Sequence, residues 1–319
     1  MNFSVSIVIP VKNEARGIRA CLDSWLNQTV PIKEIVVIDS GSTDGTIEIC
    51  KEYSRVKLIQ IPAEEFNHGT TRNRAMRQVT GELTLMTVGD GRACHEHVVK
   101  QMQRHFDEDA VAGVCGLQVV PHERDKNPIE WFRPYSKPIP KKYIFANANS
   151  FNVLPPRQKL QAASWDNVIA MYRTQVLRDE IPFREITYGE DPVWAIEAIQ
   201  SGHALVYDPG CQVYHYHLED KEITYKRSIT VLFLRHRLFQ AQPQPTSSMT
   251  RFFLSYTKTL LFNRELTIKE KLHWLRFSMT NRRAMQCAHK DFCSALAKGG
   301  GAIEELHQKC TGKTFKIAA

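Results

Sequence analysis

Short apolar runs alternate with amphipathic stretches through the first part of this chain. The amphipathic stretches carry apolar residues at helical spacing and predict helices at residues 15–27 and 70–79. The apolar runs are rich in branched residues and predict buried strands at residues 5–10, 35–39, 57–61 and 83–88. Because strands that alternate with helices are typical of βαβ units, the pattern predicts an α/β fold with a mostly parallel sheet.

The same alternation continues less regularly from residue 111 to residue 220. A helix is predicted at residues 192–201, and the proline-rich segment 134–156 predicts a long loop. Strands are predicted at residues 111–120, 167–172, 204–207 and 212–216. We therefore expect one domain over residues 1–220, with halves 1–110 and 111–220.

From residue 222 onward the pattern becomes helical, with a break of proline and serine at residues 242–248. Residues 221–319 contain 18 Lys and Arg against 6 Asp and Glu, a net charge of +12, whereas residues 1–220 carry −4. A basic helical region is typical of a surface that meets phosphate, on nucleic acid, on anionic lipid or on an acceptor, although a solvated helical face gives the same pattern. We expect residues 221–319 to form a helical, basic C-terminal region.

Three features bear on where the protein works. The eight cysteines are scattered without a CxxC pair, which argues against a zinc ribbon or a disulfide framework. The first residues run into an apolar strand without the features of a signal peptide. No segment approaches the ~18 consecutive apolar residues of a membrane-spanning helix. We expect an intracellular protein whose membrane contact, if any, is peripheral.

Polar residues follow three of the predicted strands, where parallel sheets bind their ligands. These residues are found in Pro10–Glu14, Asp39–Asp44 and Gly89–Gly91. The carboxylate of Asp39 can accept a hydrogen bond from a pyrimidine N–H or a ribose hydroxyl. An ordinary turn role for Asn13 and a helix-cap role for Asp44 explain those residues equally well.

These segments carry a resemblance to a known family. Residues 4–46, with IVIPVKNEA and VVIDSGSTDGT, resemble the nucleotide-binding half of family-2 glycosyltransferases of the GT-A fold. FNHGTTRN at 66–73 is similar to a segment of the bacterial rhamnosyltransferase-like branch, and YGEDPVWA at 188–195 and VYHYH at 213–217 resemble its acceptor half. The resemblance implies a Rossmann-like nucleotide-binding half at 1–110, an acceptor half at 111–220, and sugar transfer with inversion from a nucleoside diphosphate donor to a hydroxyl.

The resemblance also implies a donor site and partners. Arg72 can meet phosphate oxygens in a fork, although a surface salt bridge explains it too. The expected donor is a dTDP- or UDP-sugar, with dTDP-rhamnose the candidate by resemblance. The expected acceptor is a glycan or lipid-linked glycan in bacterial cell-surface polysaccharide synthesis. Nucleic acid is not an expected partner. The implied nucleotide-sugar-binding residues are Pro10, Asn13, Glu14, Asp39, Arg72 and Asp90.

A divalent cation, Mg²⁺ or Mn²⁺, is expected because a diphosphate leaving group gains negative charge as the glycosidic bond breaks. Asp90 is the expected oxygen ligand. The family motif usually has a second carboxylate two positions earlier, where this sequence has Val88. By resemblance His215 is a further ligand, and His217 lies on the same face of an extended strand.

Inverting transfer also needs a general base that takes the proton from the attacking hydroxyl. Asp191 is the candidate, with Glu190 beside it at the start of a predicted helix, where the helix dipole favours an ionised carboxylate. Both acids are explained equally well as helix caps.

Two other functions compete with the transferase. A nucleotidyltransferase would share the nucleotide-binding half but normally has a glycine-rich phosphate loop, and residues 11–16 are poor in glycine. A non-enzymatic scaffold would use the basic region to bind lipid or nucleic acid. We expect a transferase in the cytoplasm, at the inner face of the plasma membrane if the basic region binds lipid.

Overall fold

The structure, a computed structural model, describes residues 3–131 and 137–315. These residues divide into two units. The first unit contains residues 3–119 and 137–215 and includes the whole sheet, and the second contains residues 120–131 and 216–315 and is helical. The domain limits at residues 110 and 220 stay predictions.

Within the described residues, nine strands form one sheet. Their order is β3-β2-β1-β4-β8-β6-β9-β5, and β7 pairs with β9. The strands are β1 (Val5–Val11), β2 (Ile32–Asp39), β3 (Val56–Gln60), β4 (Leu83–Met86), β5 (Arg92–Ala93), β6 (Val111–Val119), β7 (Lys141–Tyr143), β8 (Ala170–Arg173) and β9 (Ala204–Tyr214).

The two sides of the sheet differ in strand direction. β1 is parallel to β2 and β4, and β2 is parallel to β3. β8 is antiparallel to both β4 and β6, whereas β6 and β9 are parallel. The predicted α/β fold class is confirmed, with a parallel arrangement from β3 to β4 and a mixed one beyond.

The helices of the first unit complete its core. β1 lies between β2 and β4 and is buried except at Pro10. α1 adds Ile18, Leu22 and Trp25 to the same core. This packing fixes the carboxyl ends of β1, β2 and β4 side by side. The helices are α1 (Ile18–Leu26), α2 (Thr46–Lys51), α3 (His68–Met76), α4 (Val98–Gln103), α5 (Ala148–Asn152), α6 (Pro156–Ala163) and α7 (Glu190–Gln200).

The second unit contains α8 (Lys221–Phe239), α9 (Met249–Phe262), α10 (Ile268–Lys298) and α11 (Gly300–Thr311). Asp220 caps the start of α8, and its carboxylate accepts hydrogen bonds from the N–H groups of Glu222 and Ile223. The main core of the second unit contains Ile229, Phe233 and Phe292. No helix in the described ranges is both long enough and apolar enough to cross a membrane.

Three predictions about elements need correction. Segment 134–156 is not a loop throughout, because β7 and α5 lie within it; residues 134–136 lie outside the described residues. The strands predicted at 204–207 and 212–216 are one strand, β9, whose register with β6 shifts between Cys115 and Leu117. The helix predicted from residue 192 begins at Glu190.

Candidate active site

Hydrogen bonds join the loops that follow β1 and β2. The N–H of Asn13 donates to Ser42 Oγ at 2.8 Å, and the N–H of Thr43 donates to Asn13 Oδ1 at 2.9 Å. Asn13 has a φ of 58°, in the left-handed region that asparagine tolerates better than most residues. Its side chain therefore shapes the edge of the sheet, and Pro10 lies nearby on β1, opposite Ile38 of β2.

Asp39 ends β2 with a carboxylate that is only half satisfied. Oδ1 accepts from the N–H groups of Gly41 (2.9 Å) and Ser42 (3.0 Å). Oδ2 is buried and accepts no hydrogen bond from the described part of the chain. Because such an oxygen is costly to bury, it favours an incoming N–H or O–H. The side chain is 1% exposed, so a ligand reaches it only if neighbouring side chains move.

Helix α1 holds the turn that carries Asp90. Trp25 Nε1 donates to the carbonyl of Gly91 at 3.0 Å, and the thiol of Cys21 donates to the carbonyl of Val88 at 3.4 Å. Both donors are buried on the core face of α1. The position of Asp90 is therefore set by core packing rather than by the loop alone.

Glu14 lies against the same turn. A Cβ at Gly89 would lie 2.7 Å from Glu14 Cγ, so glycine leaves the room that the Glu14 side chain occupies. Burial raises the pKa of Glu14 to about 7, and the carboxylates of Asp90 and Asp44 contribute to the rise. The loops after β1, β2 and β4 thus bring several acids to one place.

His215 follows β9 and faces Asp90. Its Nε2 lies 3.6 Å from Asp90 Oδ1, and its Nδ1 lies 2.7 Å from Gln118 Oε1. The amide nitrogen of Gln118 donates to a carboxylate oxygen of Asp166, which leaves Oε1 as the atom facing the histidine. Because a carbonyl oxygen only accepts, Nδ1 carries a proton, and in the neutral ring the lone pair of Nε2 then faces Asp90.

These donor atoms fit a divalent cation. Nε2 of His215 and Oδ1 of Asp90 are 3.6 Å apart, beyond hydrogen-bond length, and two metal bonds of about 2.1 Å span that distance. A ligating histidine commonly donates its other ring N–H to a nearby acceptor, as His215 does to Gln118. His217 belongs to the second unit, and its role as a ligand stays a prediction.

A buried ion pair forms another part of the site. Arg72 on α3 places Nη1 2.9 Å from Oε1 of Glu190, and their side chains are 7% and 6% exposed. Asn167 Nδ2 donates to the same oxygen at 3.2 Å. Burial opposes ionisation of Glu190, but the charges of Arg72 and His68 and further hydrogen bonds outweigh it and lower the pKa of Glu190. The predicted diphosphate contact of Arg72 stays a prediction, since the contact described here is with Glu190.

Asp191, the next residue, has a different environment. Its Oδ2 accepts from the backbone N–H of Asn167 at 3.2 Å. Burial raises the pKa of Asp191 well above its ordinary value, and the carboxyl groups of Glu190 and Asp166 raise it further. The helix position alone predicted an acid held in its ionised form. Desolvation and the two neighbouring acids act against the helix dipole, so ionisation of Asp191 is less favourable than the helix position alone predicts.

Two residues that the sequence patterns did not single out organise these groups. Asn167 contacts both acids of α7 and accepts a hydrogen bond from the hydroxyl of Tyr172. Gln118 joins Asp166 to His215. Asn167 is 3% exposed, and a polar residue among apolar strand residues was the signal that could have identified it.

The contacts form one series within the first unit. Asp166 Oδ1 accepts from the N–H of Val168, next to Asn167. The series runs through Asp90, His215, Gln118, Asp166, Asn167 and Asp191. One end can hold a cation, and the other offers a carboxyl group that can take up a proton.

Relatives of known function resemble this chain over about two thirds of their own length. RfbN, an O-antigen chain rhamnosyltransferase of Salmonella typhimurium, is 26% identical over 215 residues, which is 67% of this chain and 66% of RfbN. WbaN, an O-antigen chain rhamnosyltransferase of Salmonella anatum, is 27% identical over 67% of this chain and 66% of WbaN.

Two solved structures share the fold. The mannosyltransferase PcManGT from Pyrobaculum calidifontis, in complex with GDP-Man and Mn²⁺, aligns over 97% of this chain and 80% of its own with a TM-score of 0.52 and 17% identity. S. aureus TarS 1-349, in complex with UDP-GlcNAc, aligns over 91% of this chain and 92% of its own with a TM-score of 0.52 and 18% identity. The fold is therefore of the GT-A type.

The family model for glycosyl transferase family 2 matches residues 6–169, just over half of the chain. The matched segment contains Asp39, Asp90 and Gln118, and the acids of α7 follow it. The chain belongs to glycosyl transferase family 2.

Proposed function

We propose that this chain transfers a sugar, with inversion, from a nucleoside diphosphate sugar to an acceptor hydroxyl. The observation that carries the proposal is the connected series from Asp90 to Asp191 within one unit. A leaving diphosphate needs positive charge at one end of the reaction, and an attacking hydroxyl needs a proton acceptor at the other. The series provides both.

Asp191 is proposed as the general base. Its carboxylate takes the proton of the acceptor hydroxyl while the hydroxyl oxygen bonds to the anomeric carbon. The bond from that carbon to the diphosphate oxygen breaks on the opposite face, and the leaving oxygen keeps the electron pair. Burial and the neighbouring carboxyl groups raise the pKa of Asp191, which makes its carboxylate a stronger proton acceptor than a free one. Two residues are proposed to position Asp191. One is Asn167, which donates its backbone N–H to Asp191, and the other is the adjacent Glu190, which Arg72 holds in place.

The donor is proposed to bind at the carboxyl ends of β1, β2 and β4. Asp39 Oδ2 would accept a hydrogen bond from the base or ribose, and Pro10, Asn13 and Glu14 would line the same edge. Arg72 would contact the diphosphate of the donor.

Asp90, His215 and His217 are proposed to hold Mg²⁺ or Mn²⁺. When bound, the cation would neutralise the charge of the diphosphate. The structure of PcManGT contains Mn²⁺ together with GDP-Man, which supports a cation in this fold. The orientation of His215 by Gln118 supports its role as a ligand.

The donor is proposed to be dTDP-rhamnose or another dTDP- or UDP-sugar. O-antigen rhamnosyltransferases among the relatives support rhamnose, and the UDP-GlcNAc complex of TarS supports a uridine nucleotide in the donor. The acceptor is proposed to be a glycan or a lipid-linked glycan in cell-surface polysaccharide synthesis. We place the reaction in the cytoplasm at the inner face of the plasma membrane, with the basic residues of 221–319 in contact with lipid.

The test starts with a panel of nucleotide sugars. The purified chain is expected to release nucleoside diphosphate from one donor and to lose this activity with a chelator. Asp191→Asn should lower turnover by about a hundredfold to ten-thousandfold while donor affinity changes little. Asp90→Asn should lose most of the activity and most of the response to added Mg²⁺ or Mn²⁺. Asp109→Asn, the same change at a fully exposed acid, is the control.

Each competing function predicts a different result. A nucleotidyltransferase would release pyrophosphate from a nucleoside triphosphate and a sugar phosphate. A scaffold would bind lipid or nucleic acid without consuming any donor. Normal turnover in Asp191→Asn would return this residue to a structural role at the start of α7, and full activity in chelator would exclude the cation from the proposal.

A further inference from the structure

The most exposed apolar side chains of the second unit lie on one short stretch of chain. Their exposed fractions are 64% for Leu254, 68% for Leu261, 77% for Phe262, 77% for Ile268 and 62% for Leu272. Leu218, at 55%, comes next among the large apolar residues described in this unit. We call residues 249–276, which contain α9, the connecting turn and the start of α10, the α9–α10 hairpin.

The fold turns these side chains outward while their neighbours form a small core. Leu260, Leu266 and Trp274 are buried together. Leu261, directly after the buried Leu260, is exposed. Lys271 Nζ donates to the carbonyl of Leu261 at 3.4 Å, which ties the start of α10 to the end of α9. The outward apolar face is therefore part of an ordered hairpin.

Basic residues share the outward faces. The spacing of Leu254, Lys258 and Leu261 puts them on one side of α9. The spacing of Ile268 and Leu272 puts them on one side of α10, with Arg276 one turn further. An apolar stripe flanked by Lys and Arg is the pattern of a helix that lies in a membrane interface.

The charge of the hairpin is strongly positive. Residues 249–276 contain six Lys and Arg against two Glu. One of these acids, Glu270, accepts a hydrogen bond from the hydroxyl of Thr267. It also accepts from Arg124 Nη2, at 3.1 Å to Oε1 and 3.0 Å to Oε2. Several exposed bases form no ion pair with an acid of the described chain, namely Arg251, Lys258, Arg264, Lys269 and Arg276.

We propose that the α9–α10 hairpin docks into the interface of an anionic lipid bilayer. Leu254, Leu261, Phe262, Ile268 and Leu272 enter the boundary of the acyl chains, and the flanking Lys and Arg reach the lipid phosphates. α9 has 14 residues, fewer than the ~20 that span a bilayer, so it lies along the surface. This deepens the membrane contact put forward under Proposed function and narrows it from the whole basic region to one hairpin.

The charge also distinguishes lipid from a second copy of the chain as the occupant. Two hairpins placed face to face would bring like charges together, which opposes association. An anionic surface is complementary to the same charges, and the apolar side chains gain from leaving water.

Flotation with vesicles tests the surface through matched variants. The wild-type chain should float with phosphatidylglycerol-containing vesicles at low salt and be released at high salt, because the attraction is screened. Leu261→Gln/Phe262→Gln/Ile268→Gln should weaken binding at least tenfold. The control Leu218→Gln/Ile223→Gln/Met285→Gln changes exposed apolar residues of the same unit outside the hairpin and should bind like wild type.

A second pair of variants tests the charges. Lys258→Gln/Arg264→Gln/Lys269→Gln should weaken binding to anionic vesicles and reduce its salt dependence. Lys290→Gln/Lys298→Gln/Lys309→Gln makes the same change in charge elsewhere and should have a smaller effect. Equal losses in both sets would overturn the hairpin as the docking surface, and so would a wild-type chain that ignores anionic vesicles.

Fluorescence gives a readout that does not depend on affinity. All five native tryptophans are less than a tenth exposed, so they report little of an outer surface. Trp placed by Phe262→Trp should shift to shorter wavelength on vesicles and be quenched by brominated acyl chains, whereas Met285→Trp should show neither change. An unchanged Phe262→Trp spectrum on bound vesicles would overturn insertion.

Both vesicle experiments use neither donor nor acceptor, so they are independent of turnover. A chain that binds through the hairpin but consumes no nucleotide sugar would overturn the proposed transferase and leave the hairpin standing. A chain that transfers sugar but does not bind vesicles would overturn the hairpin as a docking surface and leave the proposed transferase standing.

Discussion

The buried pair of Arg72 and Glu190 permits a sharp test of how the site is held together. Arg72→Met replaces the guanidinium with an unbranched apolar side chain of similar length and so removes the positive charge. It leaves Glu190 ionised in a place where its side chain is 6% exposed. Removing one partner of a buried ion pair typically costs about 3–5 kcal/mol, because the remaining charge is uncompensated. For a unit of this size, that corresponds to a fall in Tm of roughly 6–20 °C.

The sign of the pH dependence follows from the pKa of Glu190. In the wild-type protein this pKa lies below its ordinary value of 4.5, so the pair stabilises the fold above pH 4.5 and loses this contribution as pH falls through the folded pKa. In Arg72→Met, burial dominates and raises the pKa above 4.5. The variant can then escape part of the cost by protonating Glu190. The difference in stability between wild type and variant should be large at pH 7–8 and small near pH 4.

A double-mutant cycle separates the ion pair from the lost hydrogen bond of Arg72 to the carbonyl of His68. Arg72→Met, Glu190→Gln and the double variant are compared by thermal unfolding from pH 4 to pH 8. The double variant should recover most of the loss seen in Arg72→Met, since neither charge of the Arg72–Glu190 pair remains. Equal destabilisation at all pH values, without recovery in the double variant, would refute the reasoning.

Three further results are expected. Asp39→Asn, in which an amide N–H would face the incoming donor group, should weaken nucleoside diphosphate binding about tenfold or more in calorimetry, and unchanged affinity would contradict the base pocket. Gln118→Leu should weaken Mn²⁺ binding by about 10–100-fold, measured without turnover, and normal affinity would remove Gln118 from the cation site. Burial raises the pKa of Glu34, but hydrogen bonds from Lys57 and Thr80 outweigh it and hold this pKa at about 2. Glu34→Gln should therefore lower the free energy of unfolding at pH 7 and reduce the loss of stability between pH 4.5 and 2. An unchanged loss of stability over this pH range would contradict the prediction.

The sequence was sufficient for the strands that form the centre of the sheet. Residues 7–11 of β1 and 35–38 of β2 are continuous apolar runs because parallel neighbours and helices cover them, and this burial is visible in the sequence. β7, with Lys141 and Lys142 exposed, has no such signal, because it lies at the edge of the sheet and pairs only with β9 among the described strands. Edge strands take their structure from a partner distant in sequence.

The candidate site divides in the same way. Asp39 and Asp90 follow strands, so their place at the carboxyl edge could be predicted from local pattern. Gln118 contacts His215, 97 positions away in the chain, and Asn167 contacts Asp191, 24 positions away. No local periodicity encodes such pairs. The direction of the Asp191 pKa shift was also beyond the sequence, because it depends on how the fold brings Asp166, Glu190 and Asp191 together.

These three carboxyl groups share one nearby guanidinium, and that links stability to catalysis. Arg72 lowers the pKa of Glu190, and it also opposes the rise in the pKa of Asp166 and Asp191. The proposed base, Asp191, must be ionised to act, so kcat/KM should fall as pH drops through its pKa. Removing Arg72 raises that pKa, and the acid limb of the pH–rate profile of Arg72→Met should therefore move to higher pH. The double variant with Glu190→Gln removes both a nearby positive and a nearby negative charge, so its acid limb should return toward the wild-type position.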